Sequence, residues 1–463
     1  MYRIFAKSVR NINQYEELVK VFLKADEYEL TDTAQAGGEF DFVIDESLPE
    51  YALLLHNARR DLIARQLYKS LMLHTGKTPE WGILTGIRPV KLVAEIARIC
   101  GSVERAVEIL QDEYLLSPAK AGMAGEICAY QREKLGAPHA GSVAVYIGIP
   151  FCPTRCMYCS FTSNAVRDAQ HDLYMENLLR EMRFVHEEMY AQSLQVESLY
   201  IGGGTPTALN PKNLDMLLEN AVKLFSPELE FTLEAGRPDT INEEKLRIIK
   251  AHGVERISIN PQTMKQETLN IIGRAHSVDQ VYTAYETANR IGFKSINTDL
   301  IAGLPGERLD DFVYSLGEIL NLGADNITVH TLAVKRSSKL AEMDREYHHN
   351  GENIVPEMLC EAEQLLRSSG YLPYYLYRQK NMSGAMENVG WCKDDNLSVY
   401  NVRIMEEAQS IIAMGAGGIS KAYFPAENRL ERYPNVNNYE IYCERIADML
   451  NRKKEMFAKG NWK

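Results

Sequence analysis

Between residues 142 and 334 the chain repeats one unit: an apolar run, a short Gly-rich or polar turn, and an amphipathic stretch with helical periodicity. The runs are SVAVYIGI, ESLYIGGG, LEFTLEAG, ERISINPQ, SINTDLIAG and NITVHTLAV, with stretches such as PKNLDMLLENAVKLF and NEEKLRIIKAHG between them. Strands alternating with helices make a parallel sheet through right-handed crossovers. Six units predict an α/β fold with an open, partial (βα)6 barrel rather than a closed ring of eight. Chemistry in such a fold belongs on the loops after the strands, at their carboxyl ends.

The flanks read differently. Residues 1–140 form an expected N-terminal α+β accessory domain, with a hairpin-like start, a helix from Glu50 to His74, and the segment WGILTGIRPVKLVAEIARIC leading into further helices. The barrel takes residues 141–340. Residues 341–463 are expected to close over its mouth as a C-terminal cap, with a helix near Pro356 to Ser369, an aromatic run YLPYYLYRQ, a Gly-rich stretch MGAGGISKAYF and a charged final helix. A chain of 463 residues with 45% hydrophobic content suits such a division.

Composition removes several function classes. The net charge is −12, from 51 Lys and Arg against 63 Asp and Glu, which argues against a nucleic-acid partner held by its phosphates. The apolar runs fall short of the roughly 18 residues of a membrane span. The start MYRIFAKSVRNINQYEEL lacks the pattern of a secretory signal, so a cytoplasmic location is expected, with the eight cysteines as reduced thiols or metal ligands.

Three of those cysteines fall in YIGIPFCPTRCMYCSF, at Cys152, Cys156 and Cys159, directly after the first barrel run. Three soft thiolates satisfy three irons of a 4Fe-4S cube and leave the fourth open for another ligand. A structural zinc site normally wants four ligands in two pairs, and no second pair is present. The next run ends in YIGGGTPT, whose glycines let backbone approach a ligand closely; taken alone, it is only a turn between strand and helix.

The cysteine motif resembles that of the radical-SAM superfamily. From residue 142 to 425 the chain resembles its coproporphyrinogen III dehydrogenase (HemN/HemW/HemZ) branch, and WGILTGIRPVKL makes the whole pattern most similar to the HemZ type. The resemblance implies a 4Fe-4S cluster on Cys152, Cys156 and Cys159, one or two molecules of S-adenosylmethionine (SAM), and a low-potential electron donor of flavodoxin or ferredoxin type. It implies SAM contacts at Tyr146, Tyr158, Gly203, Gly204, Thr205, Glu234, Gln262, Arg274, Asp299, Ala333 and Ile419, and a HemN-like C-terminal cap. Read singly, each polar residue among these is equally a strand-end cap, and the tyrosines, Ala333 and Ile419 are equally core.

The implied reaction is oxidative decarboxylation of two coproporphyrinogen III propionates to vinyl groups, giving protoporphyrinogen IX. Lys335, Arg336, Arg378 and Lys421 are the cations available near the barrel mouth for substrate carboxylates, and Tyr371, Tyr374, Tyr375 and Tyr377 are aromatic residues available to flank a macrocycle. Two departures from relatives matter. Phe161 stands where HemN-type dehydrogenases have a fourth cysteine, and Glu387, Asn388 and Trp391 stand where heme chaperones carry a His-Asn pair and aromatics. A heme-trafficking chaperone and an anaerobic heme-degrading radical enzyme therefore stay open beside the dehydrogenase.

Overall fold

The structure is a computed structural model describing residues 1–33, 39–48, 56–86, 88–159, 168–335, 337–351, 354–393, 395–460 and 462. Phe161 and Arg336 lie outside the described residues. The repeated runs are strands: β4 (Ser142–Ile149), β5 (Gln195–Gly203), β6 (Glu230–Gly236), β7 (Arg256–Ile259), β8 (Ser295–Ala302) and β9 (Asn326–Thr331). They pair in parallel in the order β9-β8-β7-β6-β5-β4. This is the six-stranded open barrel that the repeat predicts.

Alternation along these strands builds two environments at once. Val143, Val145 and Ile147, then Leu199, Ile201, Leu233, Ile257, Ile327 and Val329, join one continuous core with Leu178, Leu214, Leu217, Leu246 and Ile249 of the crossover helices. The residues between them, Tyr146, Tyr200, Glu234, Ser258, Asn297, Asp299, Thr328 and His330, line an internal cavity. The helices start on side-chain caps: Asn210, Asn242 and Ser277 each accept an N–H three residues on, and Gln280 completes a capping box with Ser277.

Strands from the C-terminal part extend this sheet at both edges. β10 (Leu372–Tyr377) pairs with β11 (Asn388–Cys392), which runs antiparallel to β9. On the other side β12 (Ser410–Met414) lies parallel to β4 and continues into the hairpin β13 (Ile419–Phe424) and β14 (Arg429–Pro434). The sheet so formed has 11 strands. The helix expected near Pro356 spans Ile354–Ser368, and that expected from Glu50 spans His56–Thr75 with residues 49–55 outside the described set.

The hairpin-like start is corrected. β1 (Tyr2–Lys7) pairs in parallel with both β2 (Tyr28–Thr31) and β3 (Phe42–Asp45). The cause is the helix Asn13–Phe22, which carries the chain back before β2 begins, as parallel pairing requires. This sheet, that helix and the helix His56–Thr75 share their own core around Val19, Phe22, Ile44 and Leu71. The helices Pro89–Cys100 and Pro118–Lys134 pack instead with the barrel core, through Val93, Ala97, Ala124 and Ile127.

Candidate functional site

The cavity at the carboxyl ends of the barrel strands encloses about 590 Å³. Cys152, Cys156 and Cys159 all open onto it, from the loop after β4. The described part of that loop is tied down at two places. Gly204 and Thr205 donate backbone N–H groups to the carbonyls of Ile149 and Phe151 at 2.7 and 2.8 Å, and Met157 donates to the Ile272 carbonyl at 2.9 Å. A side chain at residue 204 would place its Cβ 2.5 Å from the Phe151 carbonyl oxygen, so only glycine allows the two loops to lie so close.

Polar contacts then set the thiols. Thr205 Oγ1 lies 3.4 Å from Cys152 Sγ. Arg237 is buried, is held bidentately by Asp239 at 3.0 and 2.9 Å, and donates from Nη1 to Thr154 and to Cys156 Sγ at 3.9 Å. Burial, together with the neighbouring Cys159 and Cys156 and against the Thr205 hydrogen bond, pushes the Cys152 thiol up to about 11. Three neighbouring thiols, Cys156 buried and Cys152 and Cys159 partly so, that repel one another as anions are a donor set suited to an iron cluster, which favours the thiolates that burial disfavours.

A second group of contacts surrounds the loop. Arg274 donates to the Asn260 carbonyl at 2.5 Å and to the Tyr158 hydroxyl at 3.3 Å. Burial alone would lower this guanidinium, but Tyr158 and Cys156 hold it above its ordinary value. Further along the wall, Glu234 accepts from the Tyr200 hydroxyl at 2.7 Å and from the Gly203 N–H at 3.2 Å. Burial pushes its carboxyl up to about 7; the Tyr200 hydrogen bond works against this and Asp299 adds to it. Asp299 is partly buried, and its desolvation acts in the same direction, yet His330 at 3.6 Å and the Asn297 amide at 2.9 Å outweigh this and hold it below the usual range.

The remaining wall is aromatic. Tyr146, Tyr200 and Tyr400 stand nearly parallel, with centroids 4.5 Å apart for Tyr200 and Tyr400 and 6.1 Å for Tyr146 with either. Tyr375 and Tyr377 also face the cavity, and the Tyr377 hydroxyl lies 3.2 Å from His330 Nδ1. Tyr374 is buried on the opposite face of β10, as alternation along a strand requires, and Tyr371, just before the strand, is buried with its hydroxyl donating to the Ala324 carbonyl.

Of the residues named from the sequence, Tyr146, Tyr158, Gly203, Gly204, Thr205, Glu234, Gln262, Arg274, Asp299, Ile419 and the three cysteines line this one cavity. Ala333 instead forms an isolated bridge with Met382 and is not among the lining residues. Lys421 reaches the cavity wall. Arg378 turns away, donating to the carbonyls of Ala385, Met386 and Leu84, and Lys335 binds Gln379. Sequence reasoning missed Arg237, Asn260, His330, Tyr400 and Arg432. The signal for the first three was their place at the ends of β6, β7 and β9, beside residues already singled out.

Comparison with known proteins agrees with this geometry. Residues 146–319 match the Radical SAM superfamily. The chain is 39% identical over 393 residues to the oxygen-independent coproporphyrinogen-III oxidase-like protein HemZ of Bacillus subtilis (strain 168), across 83% of this chain and 78% of that one. It is 36% identical to the heme chaperone HemW of the same organism, over 42% of this chain and 51% of HemW. Its fold resembles that of Escherichia coli coproporphyrinogen III oxidase HemN, a radical SAM enzyme, with a TM-score of 0.53, 22% identity, and coverage of 70% of this chain and 73% of HemN. No helix among the described residues is long and apolar enough to cross a membrane. With an open βα barrel, a triad of thiols at its mouth and this identity across most of both chains, the protein belongs to the HemN/HemW/HemZ family of the radical-SAM superfamily, whose cofactors are a 4Fe-4S cluster and SAM.

Proposed function

We propose that the chain is an oxygen-independent coproporphyrinogen III dehydrogenase, converting two propionate side chains to vinyl groups in the formation of protoporphyrinogen IX. The observation that carries this reading is the single cavity in which the three thiols and an aromatic wall face one another. Cys152, Cys156 and Cys159 would hold the cluster, and Gly203, Gly204, Thr205, Glu234, Gln262, Arg274, Asp299 and Ile419 would hold SAM. When bound, the two together supply one-electron chemistry able to remove a hydrogen atom from an unactivated carbon.

The protein's part is positioning and exclusion of water. Thr205 and Arg237 fix Cys152 and Cys156 at the cavity wall, where with Cys159 they would hold the cluster. Glu234, partly protonated near pH 7, can accept a hydrogen bond from a ribose hydroxyl or donate one to it, whereas Asp299 stays an acceptor. The tyrosine stack offers a flat apolar face suited to a pyrrole ring. Each propionate must lose a hydrogen atom, carbon dioxide and one further electron, the last to an acceptor outside the chain. A low-potential carrier protein of flavodoxin or ferredoxin type would reduce the cluster.

The HemW relatives make heme binding without turnover the second reading. Against it stands Glu387, which occupies the position where the resemblance places the chaperones' histidine. It is buried and accepts hydrogen bonds from Trp81 Nε1 and Lys120 Nζ, each at 2.7 Å. Coproporphyrinogen III deuterated at the propionate carbon adjacent to the ring tests the proposal. Deuterium should appear in 5′-deoxyadenosine; its absence, with SAM still cleaved, would remove this substrate.

A further inference from the structure

The segment GIRPVKL and the β13-β14 hairpin meet at one carboxylate. Glu407 follows the helix Val399–Glu406 in a left-handed conformation, φ 52°, which ends that helix and turns the side chain toward four cations. Arg88 lies 3.0 Å from it, Lys91 3.4 Å, Lys421 3.8 Å and Arg432 3.1 Å. One negative charge balances one of the four. The cluster sits against the main cavity, since Lys421 and Arg432 belong to its wall.

Two further observations show that the cluster is short of anions. Burial, with Arg88 beside it and only partly offset by Glu407, pushes Lys421 down to about 8. The Nε of Arg88 is buried and has no hydrogen-bond acceptor among the described residues. A buried donor without a partner is costly, and like charges gathered in a partly desolvated wall repel one another. Both costs vanish when an anion enters.

We propose that Arg88, Lys91, Lys421 and Arg432 form a carboxylate-binding subsite at the far end of the cavity, taking propionate groups of the substrate. The assignment rests on the tetrapyrrole reading given above and adds to it the role of the N-terminal part. Arg88 and Lys91 reach the site from the start of the helix Pro89–Cys100, so substrate selection is shared between the N-terminal region and the C-terminal hairpin. Arginine forks and lysine ammonium groups suit a ligand with several carboxylates, of which those not being converted must be anchored.

The test is anaerobic fluorescence titration of the full-length, cluster-loaded chain with coproporphyrin III and with its tetramethyl ester, which keeps the macrocycle and lacks the charges. The wild-type protein should bind the acid at least about ten-fold more tightly than the ester. Lys421→Met and Arg88→Met should each weaken the acid by about ten-fold and leave the ester unchanged. Arg432→Gln changes a side chain that is 54% exposed, so the fold tolerates it, and it should weaken the acid about three-fold. Equal binding of acid and ester by the wild type, or variants that keep the wild-type preference, would overturn the subsite alone. A wild-type chain that binds neither porphyrin would overturn the tetrapyrrole reading and the subsite with it.

Discussion

At the residue scale, Glu234 is a carboxyl that its place in the cavity wall pushes well above its ordinary range. Its folded value near 7 lies above the ordinary 4.5, so its neutral form is favoured by folding. The sign follows from linkage: this contribution is complete below about pH 4.5 and is lost as pH rises through 7. Glu234→Gln should therefore remove on the order of 2 kcal/mol of the pH-dependent loss between those limits, as read by thermal unfolding of the SAM-free protein. A mutant whose stability fell with pH as steeply as the wild type would refute the assignment. The cysteines give a second expectation: Cys152→Ala, Cys156→Ala or Cys159→Ala should each lower iron and sulfide per chain severalfold after reconstitution, and a full cluster in all three would sink the ligand assignment. These thiols were legible because their spacing is itself chemical. Arg237 was less so: its place at the end of β6 was a signal, but a lone arginine after a strand is ordinarily a solvated cap, and the contact with Cys156 comes only with the fold.

At the scale of elements, the loops after β4 and β5 act as one unit because Gly204 lets them touch. Gly204→Ala forces a Cβ against the Phe151 backbone and should displace the cysteine loop. Its circular dichroism should stay that of the wild type while iron content falls at least twofold; full iron loading would show that the loops are independent. The same scale holds the docking of WGILTGIRPVKL. Trp81 and Lys120 share the buried Glu387, and the Arg378 guanidinium lies 5.1 Å from the centre of the Trp81 ring. Lys120→Met leaves that carboxylate short of its charge partner and should cost about 3 kcal/mol in denaturant unfolding, with Glu387→Gln restoring part of it in the double mutant. An unchanged midpoint would mean the pair contributes nothing. The barrel strands were readable from their runs, because strands covered on one face by helices keep an apolar side. The N-terminal sheet was not: strand length and composition there carry no mark of parallel pairing, which the intervening helix decides.

For the whole molecule, one cavity gathers residues from Tyr146 to Arg432, from the barrel and the C-terminal part together. The barrel supplies the thiols and the polar inner strand faces, and the C-terminal elements supply Tyr377, Tyr400, Ile419 and Lys421. The N-terminal region reaches the edge through Arg88 and Lys91. The sequence could suggest the first two contributions by pattern and resemblance. The third depends on side chains more than 300 positions apart in the chain converging on Glu407, which no local pattern encodes. The most direct measurement of the central claim is anaerobic incubation of the reconstituted protein with SAM, a low-potential reductant, an electron acceptor and coproporphyrinogen III, with porphyrins and 5′-deoxyadenosine followed by mass. The account predicts a product lacking two carboxyl groups, formed in step with SAM cleavage; 5′-deoxyadenosine accumulating while coproporphyrinogen stays intact would contradict it.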